Sequence, residues 1–219
     1  METYFQRYVA SGGVMMYFLI PCSFFAIGFI LQGWINLRNS RIVPHSIVSA
    51  AQKISSPSDL DTFRQLLRKD TSPLANILER ILELNPTPAP LEVGEIADEF
   101  IDDEVALLYH KNNQLAVIYT VSPLLGLLGT IIGMMKTFYA FSMSQEHSIA
   151  QLSRGINEAL VTTLWGLAIA IPSFVVLYLF KQRLFYYETS VLPRTVKEIW
   201  NTVTRLESEF GDPGEIKSE

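Results

Sequence analysis

The sequence predicts an all-α membrane protein with three transmembrane helices and long cytoplasmic helical extensions. Of its 219 residues, 49% are hydrophobic and only 18% are charged, whereas an ordinary soluble domain has about 25% charged residues. The apolar residues gather in three uncharged runs, 14–31, 115–135 and 159–180. Because a run of about 18 or more apolar residues can cross the ~30 Å hydrocarbon layer as a helix, these runs exclude a soluble globular protein.

The remaining composition excludes several other functions. The net charge is −5 and no stripe of basic residues appears, which argues against nucleic-acid binding. The single cysteine, Cys22, rules out a disulfide within the chain. The three histidines have no ligand-like spacing, and no Ser/His/Asp or phosphate-loop motif is present, so we predict no enzyme, no metal site and no cofactor.

The distribution of basic residues predicts the orientation. Eight of the 17 lie between the first and second spans and six follow the third, whereas the N-terminal stub and the connection between the second and third spans carry one each, and the last, Lys136, lies in the second span. Because loops rich in Lys and Arg stay in the cytoplasm, the N-terminus is predicted outside and the C-terminus inside. The first run exceeds the ~7–15-residue core of a signal peptide, so we expect it to be retained as a span.

The predicted segments are 1–13 (outer N-terminus), 14–37 (transmembrane helix 1), 38–113 (cytoplasmic helical domain), 114–141 (transmembrane helix 2), 142–155 (outer loop), 156–180 (transmembrane helix 3) and 181–219 (cytoplasmic helix and tail).

Capping residues predict short helices in the cytoplasmic domain. The stretch 58–61 has the pattern of a capping box that would open a helix at 60–69. Ser72 followed by Pro73 is typical of an N-cap with proline at the first helical position, which would open a helix at 74–84.

Proline positions predict where the long helices stop. Three prolines within 85–90 must interrupt any helix. From residue 91 no proline occurs until Pro123, so helix two should begin in the cytoplasm and run unbroken into the membrane. Helical periodicity also continues through 181–209 after the third run, with a kink expected at Pro193. Pro123 and Pro172, which lie within spans, predict a kink in each of their helices.

Seven acidic residues crowd the stretch 92–104, ahead of the second span. They are interpreted either as the solvated face of a helix or as a vestibule that attracts cations to the cytoplasmic mouth of a channel. The sequence alone leaves both interpretations open.

Small and hydroxyl residues recur at spacings of three and four in the second and third spans, which places them on one face of each helix. They are Gly126, Thr130, Gly133, Thr137 and Ala140 in the second span and Ala159, Thr163, Gly166 and Ala170 in the third. In lipid, small residues let helix backbones approach closely, and Gly129 is predicted to pack in the same way. The hydroxyls of Thr130 and Thr163 either bond back to their own helices or line a narrow hydrated path.

Glu158 is the only acidic residue within or bordering a span. An intramembrane carboxylate is costly and is a functional candidate by default, although Glu158 could also lie shallow and wetted at the outer interface. Lys136 of the second span lies at a similar distance from the outer turn, so we predict either an ion pair with Glu158, within one subunit or between neighbours, or a Lys136 side chain that reaches the outer headgroups.

Two stretches carry a family resemblance. Residues 122–138 read SPLLGLLGTIIGMMKTF, and residues 155–163 read GINEALVTT, followed at 166–172 by GLAIAIP. Together they resemble the second and third spans of the MotA/TolQ/ExbB proton-channel family, in its ExbB/TolQ branch. The resemblance implies a multi-pass protein of the bacterial inner (plasma) membrane, with residues 1–13 and 142–155 in the periplasm and the C-terminus in the cytoplasm.

The resemblance also implies a mechanism and partners. The chain would be a stator subunit that forms a homopentamer around two copies of a single-span ExbD/TolR-like protein and couples the proton gradient to mechanical work at the cell envelope. Thr130, Thr162, Thr163 and Glu158 would lie on the ion path. The sequence departs from the family pattern at Lys136, where relatives carry uncharged polar residues, and at Gln32-Gly33, where an acid–base pair is absent.

Two other functions fit the same residues. Hydroxyl-rich paths can also pass Na⁺, so a sodium-driven stator is one alternative. A non-conducting membrane scaffold that holds a partner complex, with the threonines only packing, is the other.

Overall fold

The computed structural model describes residues 12–84, 92–143 and 149–210, and within these ranges every regular element is a helix. The α-helices are α1 (Met16–Asn36), α2 (Asn39–Ile42), α3 (His45–Ala51), α4 (Pro57–Lys69), α5 (Pro73–Leu82), α6 (Val93–Asn112), α7 (Gln114–Met143), α8 (Ile149–Tyr186) and α9 (Leu192–Phe210). The predicted proline break at 85–90, part of the outer loop and the C-terminal tail lie outside the described residues.

The prediction of three spans is confirmed. The helical stretches Met16–Asn36, Val93–Met143 and Ile149–Arg205 are long and apolar enough to cross a membrane. The described residues divide into two compact units. The membrane unit comprises 12–33, 112–143 and 149–179, and the extramembrane unit comprises 34–84, 92–111 and 180–210.

A small apolar cluster holds the membrane unit together. Met16, Leu19 and Ala26 of α1 pack with Ile118 of α7 and Ile169 of α8, each at most 9% exposed. The outward side chains of the same helices are mostly large and apolar, and they include Phe24, Leu124, Ile131, Leu160 and Leu164, all at least half exposed. Such a surface requires lipid or other protein around it.

Helix α5 forms the centre of the extramembrane unit. Six of its ten residues are buried, and among them Leu74, Ile77 and Ile81 are fully enclosed. Phe63 of α4 and Trp200 of α9 are also buried. Burial of an aliphatic side chain of this size contributes about 1.5–3 kcal/mol to folding. This core can therefore stabilise the fold of the extramembrane unit without contacts to lipid.

The N-cap predictions have different outcomes. Ser72 caps α5 as predicted, because its Oγ accepts a hydrogen bond from the backbone N–H of Ala75 at 3.3 Å. The capping box assigned to 58–61 was placed two residues too late. Ser56 is the N-cap of α4, and its Oγ accepts from the N–H of Asp59. Pro57 accounts for the shift, since its fixed φ suits the first helical position and starts the helix there.

Helix two extends from Val93 to Met143 as predicted, but it is not unbroken. Asn113 forms a turn between α6 and α7. The N–H of Ala116 donates to the carbonyl of Asn113 at 2.9 Å, a tighter i to i+3 bond than the α-helix uses.

Another irregularity precedes Pro193, upstream of the predicted kink. Residues Tyr187–Val191 form a π-helical segment between α8 and α9. Buried positions on either side keep spacings of three and four (Phe180, Leu184, Tyr187, then Leu192, Val196, Ile199, Val203), but the step across the segment is five. Proline cannot donate a hydrogen bond and its ring crowds the carbonyl four residues earlier, which explains why the deviation lies just before it.

Two side chains of the acidic stretch at 92–104 form polar contacts within the extramembrane unit. Asp103 Oδ2 lies 3.0 Å from Arg80 Nη2, and Glu104 Oε1 accepts from Asn76 Nδ2 at 3.1 Å. The Arg80 guanidinium also lies over the Phe100 ring, 3.9 Å from its centroid. These side chains attach α6 to α5.

Candidate ion path

Helices α7 and α8 run antiparallel and touch through small residues. A Cβ atom at Gly166 would lie 2.6 Å from the carbonyl oxygen of Ser122, and one at Gly126 would lie 3.1 Å from the Cα of Thr163. Toward the other end of the pair, a Cβ at Gly133 would lie 3.2 Å from the side chain of Ala159. The backbones approach so closely that even a methyl group at these glycines would force a shift.

The other predicted packing and kink residues lie along the same helices. A Cβ at Gly129 would lie 2.7 Å from Thr162 Oγ1, and Ala170 is buried. Pro123 and Pro172 lie inside α7 and α8. The kinks expected at these prolines stay a prediction.

Three threonine hydroxyls converge on one backbone carbonyl, that of Gly126. Thr130 Oγ1 lies 3.1 Å and Thr163 Oγ1 lies 3.2 Å from the Gly126 oxygen, and the two hydroxyls also hydrogen-bond each other. Thr162 Oγ1 lies 3.4 Å from the same oxygen and donates mainly to the carbonyl of Ala159 at 2.7 Å. The structure therefore brings together Thr130 and Thr163, which the spacing had placed on the small-residue faces of their helices, and adds Thr162, which neither stripe includes.

The geometry of this cluster allows two proton arrangements. A hydroxyl has one proton to donate and two lone pairs to accept with. Either Thr163 donates to Thr130 and Thr130 donates to the Gly126 carbonyl, or the roles are reversed, and the two distances to that carbonyl are nearly equal. The pair can thus relay a proton or solvate a cation, but a threonine cannot hold an excess proton near neutral pH.

Glu158 has a neighbour that sequence reasoning missed. Its half-buried carboxyl group lies directly against Gly13, so that a Cβ atom at Gly13 would overlap Oε1. Gly13 has a φ of +60° and lies in the turn that leads into α1 at Met16. The N–H groups of Met16, Tyr17 and Phe18 in the first turn already donate to the carbonyls of Gly13, Val14 and Met15. The positive end of the α1 helix dipole therefore favours the Glu158 carboxylate here without a hydrogen bond from this turn.

Lys136 forms no ion pair with Glu158 among the described residues. Its side chain is exposed on α7. The four ion pairs found across the described ranges lie in the extramembrane unit, and Lys136 with Glu158 is not among them. Pairing between neighbouring subunits, or a Lys136 side chain that reaches the headgroups, stays a prediction.

Two further polar residues belong to the α7–α8 contact. Ser122 is completely buried, and its Oγ has no hydrogen-bond partner among the described residues. Thr137 is buried against Gly155, and its Oγ1 donates back to the carbonyl of Gly133 at 2.7 Å. The spacing of the stripe had included Thr137, whereas Ser122 carried no signal beyond its place in the motif at 122–138.

Comparison with known proteins gives the same family over most of this region. The model of the MotA/TolQ/ExbB proton channel family matches residues 69–190, more than half of the chain. An ExbB-like biopolymer transport protein of Synechocystis is 30% identical over 178 residues, which is 78% of this chain and 82% of that protein.

Two shorter matches come from proteins of both subfamilies in the branch. The biopolymer transport protein ExbB of Salmonella typhimurium is 36% identical over 80 residues, 36% of this chain and 33% of that protein. The Tol-Pal system protein TolQ of Haemophilus influenzae is 39% identical over 70 residues, 32% of this chain and 31% of that protein.

Proposed function

The chain belongs to the ExbB/TolQ branch of the MotA/TolQ/ExbB proton channel family, and from this we propose that it is a stator subunit that couples a proton gradient to mechanical work at the cell envelope. The relatives' names refer to biopolymer transport and to the Tol-Pal system. The proposal places the protein in the bacterial inner membrane, with its N-terminus in the periplasm and its basic, helical parts in the cytoplasm.

The observation that carries this proposal is the convergence of the Thr130, Thr162 and Thr163 hydroxyls on the Gly126 carbonyl within the membrane unit. Packing alone would be satisfied by small apolar residues at a helix contact. Hydroxyls that are shared between two helices supply donors and acceptors at a depth where lipid offers none. They are therefore suited to a proton in transit.

These hydroxyls are not sufficient for transport. The membrane helices contain no Asp or His, and their only carboxylate is Glu158. A group that binds and releases the proton deep in the membrane must then come from another chain. We infer an acidic residue in the single span of an ExbD/TolR-like partner.

The surface beside the cluster supports a helical partner. An open surface of α7 beside the cluster is formed by Thr130 together with large apolar residues such as Leu127, Ile131 and Phe138. A partner helix lying on this surface would cover the apolar side chains and bring its acidic residue next to Thr130. In the proposed assembly, five copies of this chain surround two copies of that helix.

Proton flux into liposomes tests the proposal. The full-length protein is reconstituted alone or with its single-span partner, a pH-sensitive dye is enclosed, and a proton gradient and a sodium gradient are imposed separately. We expect flux with the proton gradient only when the partner is present. Robust flux by this protein alone would contradict the need for a carrier in the partner, flux that follows only the sodium gradient would favour a sodium-driven stator, and no flux under any condition would favour a scaffold.

A further inference from the structure

The extramembrane unit contains a polar cavity that the proposed ion path does not use. Its volume is about 610 Å³, within the range of about 300–1,000 Å³ that is typical of ligand sites. The last residue of α1, Asn36, lines it together with Arg41 of α2, Thr71 and Ser72 ahead of α5, and Lys111 near the end of α6.

The charges in this cavity favour an anion. Arg41 and Lys111 contribute two positive charges, and the only carboxylate among the lining residues is that of Asp70. Asp70 is engaged, because its Oδ1 accepts from the N–H of Ser72 at 2.9 Å. Among the described residues neither cation has a carboxylate within ion-pair distance, and the contact of Arg41 is with Asn36 Oδ1 at 3.5 Å.

The chemistry of the lining matches a phosphate group. A guanidinium binds two phosphate oxygens at once, and an ammonium group adds a point charge. The hydroxyl of Thr71 and the amide of Asn36 can donate to the remaining oxygens. A carboxylate ligand would leave part of this donor set unused.

The sequence positions of the lining residues locate the cavity relative to the membrane. Asn36 is the final residue of the first spanning helix, and Lys111 lies four residues before Leu115, where the second apolar run begins. Residues at the ends of apolar segments lie at the level of the lipid headgroups. Basic pockets at that level are a known means of binding anionic headgroups.

From this placement we infer that the cavity binds a phosphate-bearing anion, supplied either by the headgroup of an anionic phospholipid or by a soluble phosphate compound. The inference does not depend on ion conduction by α7 and α8. Binding would occupy the space between the end of α1 and the start of α5, and a lipid headgroup bound there would attach the extramembrane helices to the membrane surface.

Isothermal titration calorimetry of the delipidated full-length protein in a non-ionic detergent tests this inference. The probes are dioctanoyl phosphatidylglycerol, dioctanoyl phosphatidylcholine and sodium phosphate. For a lipid site, we expect phosphatidylglycerol to bind about tenfold more tightly than phosphatidylcholine and sodium phosphate to give no heat. For a site that takes a soluble compound, sodium phosphate itself binds and competes with phosphatidylglycerol.

Matched variants distinguish this cavity from general charge attraction. R41Q/K111Q should weaken binding about tenfold or more, whereas R38Q/K53Q, which removes two exposed cations that do not line the cavity, should change it less than about twofold. R41K/K111R keeps both charges but exchanges the positions of the guanidinium and the ammonium group, so its affinity should lie between those of the unmodified protein and R41Q/K111Q. Equal loss in R38Q/K53Q, loss in R41K/K111R as large as in R41Q/K111Q, or binding that R41Q/K111Q leaves unchanged would overturn the inference.

Discussion

The carboxyl group of Glu158 lies against the backbone of Gly13, so the acidic residue of the third span is paired with the beginning of the first helix. Gly13 combines the absence of a side chain with a φ of +60°, and both properties are needed there. The contact gives Glu158 a favourable electrostatic environment that does not require Lys136.

Gly13→Ala should therefore displace the Glu158 side chain and destabilise the protein. A non-glycine residue in the left-handed region costs about 1–2 kcal/mol before any overlap with the carboxyl group is counted. We expect a lower Tm in detergent, measured by circular dichroism, and reduced proton flux with the partner present. Gly28→Ala is the matched control, because a Cβ at Gly28 meets no atom within 4 Å and α1 should tolerate it. Equal effects of the two substitutions would show that the Gly13 contact has no special role.

Thr130→Val and Thr163→Val each keep the side-chain shape and remove one member of the hydroxyl pair. A residue of the ion path should lose proton flux by about tenfold or more while the oligomer keeps its size, because valine can neither donate nor accept a hydrogen bond at that position. The measurement is liposome flux, combined with gel filtration of the same preparation. Thr120→Val is the control in the same helix, because its hydroxyl bonds back to the Ala116 carbonyl and is exposed. Full flux in both Thr130→Val and Thr163→Val would show that these residues only pack the helices and do not take part in transport.

Gly166→Ala should weaken the α7–α8 contact. The new methyl group would come within 2.6 Å of the backbone carbonyl oxygen of Ser122, which cannot move away as a flexible side chain could. Overpacking of this kind costs about 1–3 kcal/mol. We expect a lower Tm and partial loss of the oligomer on gel filtration, again compared with Gly28→Ala. A variant that retains the original Tm would mean that the helices separate here without cost.

Glu188 gives the extramembrane unit a pH dependence. Burial, and then the nearby charge of Asp102, raise the pKa of Glu188 above its ordinary value, and burial together with Glu188 raises the pKa of Tyr109. A carboxyl group with a raised pKa favours the folded state most when it is protonated, so this contribution is lost as the pH rises through the pKa of the folded protein.

Glu188→Gln removes the ionisable group and should raise the Tm at neutral pH, with the gain disappearing as the pH falls toward the ordinary pKa of Glu, about 4.3. Asp59→Asn provides a control of opposite sign. Hydrogen bonds from Ser56 and Ser55 lower the pKa of Asp59. The ionised Asp59 therefore stabilises the folded state at neutral pH, and this stabilisation is lost as the pH falls through the pKa of the folded protein. Melting curves across this pH range test both, and a Glu188→Gln variant that is less stable than the unmodified protein at neutral pH would contradict the assignment.

Lys136 and Glu158 can still be coupled between neighbouring subunits. If they pair there, Lys136→Met should reduce flux or Tm more than the double change Lys136→Met with Glu158→Gln, because the single change leaves an unpaired charge in a low-dielectric setting. A double-mutant cycle measures this coupling. Additive effects would leave Glu158 with Gly13 as its neighbour and Lys136 as an anchor at the headgroups.

Local rules predicted the parts of the fold that depend on local sequence. The three spans were predictable from the length of the apolar runs. The role of Ser72 as an N-cap was predictable because a cap depends on only about four consecutive residues. The capping error at 58–61 has the same local origin, since Ser56 and Ser58 both satisfy a serine-based pattern and Pro57 decides between them.

Contacts between residues that are distant in the sequence could not be predicted in this way. The stripes predicted which faces of α7 and α8 are small, but the convergence on Gly126 depends on the relative height of the two helices, which no spacing within one helix can give. The neighbour of Glu158 lies at the other end of the chain, and nothing in the sequence around Gly13 marks it as a partner for a carboxylate. The five-residue step in the buried positions is visible in the sequence only once burial is known.

That step has a consequence for how the chain can change in length. Each residue of an α-helix turns the chain by about 100°, so removing one residue within α9 would turn every later side chain away from the core. Between Tyr187 and Leu192 the opposite holds, because the π-helical segment already contains one residue more than an α-helical step of four. A single deletion there would leave Leu184 and Val196 on a common face, so this short stretch can lose a residue while the packing on both sides is preserved.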